Sequence, residues 1–231
     1  MIEKRFIGGK ALLRWHEPDR GTINPTDFIP VAEECGLIVP IGEWVLEQAC
    51  SSLASSNRAT APQTAWTMSV NVSAVQLRSR GFIHSLRELI AATNVDPQLL
   101  CLESTESVLM GDVDYFSRVL HELQAVGTRL SIDDFGTGCS SLAYLRRFPV
   151  DELKIDRSFI TNLDSDPYDA TLVAAVIAIG NALGLRVVAE GVETTEELGR
   201  LRDLGGQYAQ GYLFAYPVSF DEYMEYLEAR H

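Results

Sequence analysis

Short apolar runs, each closed by a polar or charged residue, recur along the chain. They span Trp66 to Val72, Leu99 to Glu103, Arg129 to Asp133, Glu152 to Ile155, Arg186 to Ala189 and Tyr208 to Phe214. The polar residues at or beside their ends are Asn71, Glu103, Asp133 with Asp134, Lys154 with Asp156, Glu190 and Gln210. Each run has the length and composition of a strand, and the stretches between them carry helical periodicity. Strand and helix in alternation predict an α/β fold with a parallel sheet joined by right-handed crossovers. In such sheets ligands bind at the carboxyl ends of the strands, where these polar residues fall.

Helix starts agree with that register. Ser73 with Gln76, Thr194 with Glu197 and Ser219 with Glu222 each have capping-box spacing, in which two side chains satisfy backbone amides that the first turn leaves open. From Ile41 to Ser55 the pattern places Ile41, Trp44, Val45, Ala49 and Leu53 on one face, predicting a helix laid on the sheet. The stretch Thr171 to Ile179 is apolar nearly all round and predicts a deeply packed helix.

With 231 residues and 46% hydrophobic content, the chain can bury one sizeable core, and residues 1–231 read as a single domain. Ser51 to Gln63 reads as a helix end followed by a surface loop. No charged start with an apolar core of signal-peptide type and no apolar run of membrane-spanning length is present, so the expectation is a cytoplasmic segment without membrane contact. Cys35, Cys50, Cys101 and Cys139 lack metal-like spacing and read as reduced, mostly buried thiols. A formal net charge of −13 argues against long nucleic acid as a partner, because that binding needs Lys and Arg on phosphates. A small phosphate ester fits if divalent cations bridge it to carboxylates.

The candidate chemistry centres on Asp133 and Asp134, which lead into the turn Phe135-Gly136-Thr137-Gly138. Neighbouring carboxylates in a partly buried site require a cation or a basic partner. Together with Asn71, Glu103 and Glu190 the donor set is all oxygen, which suits Mg²⁺ or Mn²⁺ and disfavours zinc. His16, His84, His121 and His231 lie away from the strand ends. The plainer reading, in which strand-end carboxylates cap helices or meet Lys and Arg, is reasonable for any one of them and weak for the whole series. There is no Walker A loop, and Asp134-Phe135-Gly136 lacks the other motifs of a kinase. A Schiff-base role for Lys154 in a barrel aldolase is disfavoured by the carboxylates around it.

In this order the strings resemble the EAL-domain family of cyclic di-GMP phosphodiesterases. The segments that carry the resemblance are Lys10 to Trp15, Asn24 to Glu33, Val70-Asn71-Val72-Ser73, Glu103-Ser104-Thr105-Glu106, the turn from Asp133 to Gly138, Lys154-Ile155-Asp156, Ala189 to Glu193, and Gln210-Gly211-Tyr212. The resemblance implies a modified TIM, or (β/α)₈, barrel and hydrolysis of cyclic di-GMP to pGpG with Mg²⁺ or Mn²⁺. By the same resemblance Asn71, Glu103 and Asp133 hold one metal, and Asp133, Asp134 and Glu190 the other. Lys154 positions the attacking water or a phosphate oxygen, Glu190 doubles as a base, and Gln210 and Asp156 support the ligand site. Arg14 contacts substrate, and Glu106 and Glu193 orient ligands and the following loop. The loop from Asp134 to Tyr144 is implied to couple the site to a homodimer interface.

The chain departs from that pattern at Lys10, where the family's name-giving motif begins with the metal-ligand Glu. An ammonium about 4 Å from a divalent ion's place costs roughly 4 kcal/mol per unit charge pair at an effective dielectric near 20. The expectation is that Lys10 pairs with Glu103 and Asp133, weakening one metal site and the hydrolysis. The alternatives are that Lys10 turns to solvent and slow turnover survives, or that the domain is a catalytically inactive cyclic di-GMP receptor or protein-interaction module. The chain also begins after the Gln-Pro-bearing strand of the family. That predicts a domain excised from a larger multidomain signalling protein, with a truncated first strand and an open sheet edge. Cys139 and Tyr216 replace an aromatic residue and an Arg common in the family.

Overall fold

The computed structural model describes residues 6–58, 65–138, 145–163 and 166–228. The chain divides into two compact units, Met1–Glu103 with Glu122–Arg129, and Ser104–His121 with Leu130–His231.

In the first unit the elements run β1 (Gly8–Ala11), β2 (Trp15–Glu17), β3 (Gly21–Ile23), α1 (Pro25–Glu34), α2 (Ile38–Arg58), β4 (Thr67–Asn71), α3 (Ala74–Arg78), α4 (Phe82–Thr93) and β5, which begins at Leu100 and ends at Thr105. Strands β1, β4 and β5 are parallel neighbours, with Lys10 opposite Ser69 and Asn71 opposite Glu103. Strands β2 and β3 form a short antiparallel hairpin. Asn24 caps α1 by accepting from the Thr26 amide, and Pro25 sits in the first turn, where its missing N–H costs nothing.

The second unit adds α5 (Glu106–Met110), the first part of α6 (Val113–Val126), β6 (Arg129–Phe135) from Leu130 on, β7 (Glu152–Ile155), α7 (Arg157–Thr161), α8 (Pro167–Leu183), β8 (Arg186–Ala189), α9 (Thr195–Asp203), β9 (Tyr208–Ala209) and α10 (Phe220–Glu228). Strands β6, β7, β8 and β9 are again parallel neighbours. Strands β6, β7 and β8 are buried on both faces, as parallel sheets covered by crossover helices are, whereas β9 is half-buried. Along β6, Leu130 and Ile132 alternate with Ser131 and Asp133, and all are buried. In β7, Leu153 and Ile155 alternate in the same way with Glu152 and Lys154. One face is therefore apolar core and the other carries polar side chains, because successive strand residues point to opposite sides.

Every predicted strand is present, with the last one shortened to Tyr208–Ala209. Beyond it Gly211 has a φ of 154°. A Cβ there would lie 2.2 Å from the Val192 carbonyl oxygen, so the chain leaves the ladder at this close approach. Strand β1 was not legible as a pattern, since Gly-Gly-Lys-Ala carries no apolar alternation; its partner β4 defines it. The capping boxes at Ser73 and Thr194 form as predicted, and Ser219 exchanges hydrogen bonds with Glu222 in the same way.

Helix packing corrects several expectations. The buried face of α2 runs through Gly42, Leu46, Ala49, Cys50 and Leu53, whereas Trp44 is 54% exposed. Gly42 sits against the Gln76 side chain, and this close approach rotates the helix relative to the face read from hydropathy. Helix α8 buries Val173, Val176, Ile177 and Gly180 but exposes Ala175 and Ala178, so its apolar outer face is small residues rather than a second buried face. Of the cysteines, Cys35 is exposed, Cys50 and Cys101 are buried, and Cys139 lies outside the described residues. Burial pushes the Cys50 thiol up to about 11, which keeps it protonated and unreactive at neutral pH. Among the described residues no helix is long and apolar enough to cross a membrane.

Gly180 brings α8 against β8 so closely that an added Cβ would lie 2.2 Å from Val187 Cγ2. Gly180→Ala should therefore destabilise by about 1–3 kcal/mol in urea denaturation, although Ala gains about 1 kcal/mol in helix propensity; equal or higher stability would refute this packing. At α10 the Glu222 carboxyl is held below its ordinary range by the Ser219 amide first and the Ser219 hydroxyl second. Its contribution to stability is thus present above the unfolded-state value and lost as pH falls through the lowered one. Ser219→Ala keeps the amide and removes the hydroxyl, so the Glu222 midpoint followed by carboxyl NMR should rise only part of the way.

Candidate functional site

In the first unit, Lys10 on β1 extends across its sheet to Glu103 on β5. The Nζ lies 2.7 Å from Glu103 Oε2, with side chains 15% and 0% exposed. The ammonium thus turns inward to a carboxylate and away from solvent, which corrects the alternative of a snorkelling Lys10. Pairing is the condition for such burial, since an ammonium and a carboxylate each cost several kcal/mol to desolvate alone. Asn71, the Cα partner of Glu103, is exposed at the end of β4. Arg14 is exposed beyond β1, its Nη1 donating to the Leu13 carbonyl at 2.9 Å.

In the second unit, Lys154 is 1% exposed and donates to Glu190 Oε1 at 2.8 Å. Gln210 Nε2 donates to the same oxygen at 2.6 Å. Strand register explains the meeting: Lys154 lies opposite Val188, and Glu190 is two residues further along, on the same face. Gln210 follows the pairing of Ala189 with Ala209, and its amide donates to the Ala189 carbonyl. One carboxylate oxygen each of Asp133 and Glu190 lie within 4.8 Å of one another. The carboxylate of Lys154's partner leaves the aldolase reading without support, since a Schiff-base lysine needs a neutral amine.

Asp133 and Asp134 would point to opposite faces of a regular strand. Here the register against β7 shifts between Ile132 and Phe135, and Asp134 adopts a φ of 55°. The bulge and the left-handed residue re-aim the second carboxylate, a local strain of the kind that persists at functional sites. The Asp134 amide donates to Asp133 Oδ1 at 3.1 Å, fixing the first carboxylate from behind. Glu106, 1% exposed at the start of α5, accepts from the Gly136 amide at 3.1 Å and so ties down the turn that follows β6. Residues 139–144 of the predicted coupling loop lie outside the described residues.

Asp156 caps α7, its Oδ1 accepting from the Ser158 amide at 3.0 Å. Glu193 is exposed and pairs with Arg157 at 2.8 Å. His16, His84 and His121 are exposed, and His231 lies outside the described residues. In each unit the donors on these strands are oxygens, with no imidazole or thiolate among the described ones, which fits a hard divalent cation and not a soft one. Arg157 carries little local signal in the sequence, being a cation three residues after Lys154 beside a predicted strand end.

The arrangement is a parallel α/β fold with carboxylates and a buried lysine on the polar faces of its strands. The EAL domain family model matches residues 1–217, and the chain belongs to that family. It is 45% identical over 217 residues to the bifunctional diguanylate cyclase/cyclic di-GMP phosphodiesterase MucR of Pseudomonas aeruginosa, covering 94% of this chain and 31% of that protein. To the cyclic di-GMP phosphodiesterase NbdA of the same organism it is 40% identical over 220 residues, covering 95% of this chain and 28% of that protein. The chain thus spans about a third of the length of these curated relatives. The solved structure described as the PaMucR phosphodiesterase in complex with c-di-GMP superposes with a TM-score of 0.89 at 45% identity, over 94% of this chain and 87% of that one. The fold is accordingly the modified TIM barrel of EAL domains.

The left-handed backbone at Asp134 separates conformation from charge. Asp134→Gly and Asp134→Ala both delete the carboxylate, but only Ala pays the positive-φ penalty of about 1–2 kcal/mol. The Gly variant should be more stable than the Ala variant by about 1 kcal/mol in chemical denaturation; equal stability would mean that the turn relaxes to an ordinary conformation.

Proposed function

We propose that this domain binds cyclic di-GMP at the strand ends and carries a two-metal phosphodiesterase-type centre whose hydrolysis to pGpG is impaired by Lys10. The observation that carries the reading is the 2.7 Å pair between Lys10 and Glu103. In this reading Glu103 is a metal ligand, and the ammonium claims a carboxylate oxygen that the first ion needs. Asn71 and Asp133 complete that place; Asp133, Asp134 and Glu190 make the second. Mg²⁺ or Mn²⁺ bound there would supply electrophilic charge to the phosphodiester and lower the pKa of water.

The chain's own residues have separable tasks. Lys154 and Gln210 both donate to Glu190 Oε1, which fixes the carboxylate so that it can accept a proton from water. Arg14, exposed beyond β1, contacts the substrate phosphate or guanine. Asp156 holds the first turn of α7 and supports the ligand site, and Glu106 fixes the Gly136 turn that follows Asp134. Similarity to MucR and to its complex supports the choice of dinucleotide. Homodimerisation, a place within a larger cytoplasmic signalling protein and the lack of long nucleic acid as a partner belong to the same proposal.

A second reading, a receptor that binds the dinucleotide without turning it over, is favoured by the same Lys10–Glu103 pair. Turnover of cyclic di-GMP with Mg²⁺ or Mn²⁺ by the protein beside Lys10→Glu decides between them. On the first reading slow turnover rises at least about tenfold in the Glu variant. On the receptor reading the unaltered protein binds cyclic di-GMP by calorimetry and shows no turnover. Absence of binding by both proteins, with either ion, would remove the dinucleotide from the proposal.

A further inference from the structure

Arg157 opens α7, and its side chain runs alongside the turn that follows Glu190. Gly191 has a φ of 72°, and a Cβ on it would lie 2.3 Å from Arg157 Cγ, 2.7 Å from its Cβ and 2.8 Å from its Cδ. The aliphatic stem is thus in direct contact with the Gly191 backbone. Beyond it the guanidinium pairs with Glu193 Oε1 at 2.8 Å. One side chain therefore spans the turn from its first residue to its third.

The other sides of that turn are held by the sheet and by α9. The Glu190 amide donates to the Ile155 carbonyl at 3.0 Å and the Val192 amide to the Gln210 carbonyl at 3.0 Å. The Glu193 amide donates to Glu197 Oε2 at 2.7 Å. Arg157 starts from a fixed base, because Asp156 caps the same helix.

We propose that Arg157 is a positioning residue for Glu190: it clamps the Gly191–Glu193 turn and so sets the direction of the Glu190 carboxylate toward the cation. The inference rests on the metal-centre reading above. The pair is half exposed, at 54% and 36%, and exposed ion pairs contribute little to folding. The sign of the effect identifies the role. Removing a cation near a cation site raises metal affinity by Coulomb's law, whereas removing a brace lowers it.

The test uses the whole chain with Mn²⁺ alone as the probe, by calorimetry and by electron paramagnetic resonance of the free ion. Arg157→Ala should weaken Mn²⁺ binding about tenfold, the size of effect that outer contacts to a metal ligand have, with the denaturation midpoint unchanged. Arg157→Lys, which keeps stem and charge, should recover most of the loss. Unchanged or tighter binding in Arg157→Ala overturns the inference. Hydrogen exchange at the Val192 and Glu193 amides, read without metal, tests the clamp independently. Arg157→Ala should speed it, and unaltered exchange overturns the inference even where the unaltered protein binds no Mn²⁺, a result that counts against the metal centre instead.

Discussion

A buried ammonium must meet a carboxylate, and the polar faces of these strands are organised by that requirement. Lys154 is almost wholly excluded from water and is held at 2.8 Å by Glu190. Lys10 and Glu103 meet in the same way at 2.7 Å. Desolvating either charge alone costs several kcal/mol, more than any single helix cap returns, so each pair constrains the register of its strands. A one-residue slip of β7 against β8 would send Lys154 to the apolar face, where Leu153 and Ile155 now lie, and those two to the polar face.

That constraint also shapes the chemistry. Glu190 Oε1 accepts from Lys154 and from Gln210, so the carboxylate is oriented before any ligand arrives. Asp134 is turned by a bulge and a left-handed backbone, and Glu106 holds the turn that follows. Such preorganisation stores strain locally and stabilises it through neighbouring hydrogen bonds. At Lys10 the same physics acts in the other unit, where a salt bridge to Glu103 makes withdrawal of the ammonium from water tolerable.

Much of the secondary structure was legible because it is local. Strands from β4 to β9 follow runs of apolar residues, and the caps at Ser73, Thr194 and Ser219 follow a fixed three-residue spacing. The failures share a cause. Strand β1 has no apolar pattern and exists through its pairing with β4. Trp44 was placed on a buried face by hydropathy, while the close contact of Gly42 with Gln76 turns α2 otherwise. Small residues let α8 look buried all round, although Ala175 and Ala178 face solvent.

The sequence by itself determined which donors exist, their chemical hardness, their order and their positions at strand ends, since these follow from residue type and short-range periodicity. It also determined the presence of a positive charge at Lys10. Only the tertiary structure decided which groups touch. That Lys154 and Gln210 share one oxygen of Glu190, that Lys10 turns toward Glu103, and that Arg157 lies against Gly191 depend on how neighbouring strands are registered and where the turns after them return, and the aim of Asp134 depends on a bulge against β7. Those are properties of paired backbones, and no single segment contains them.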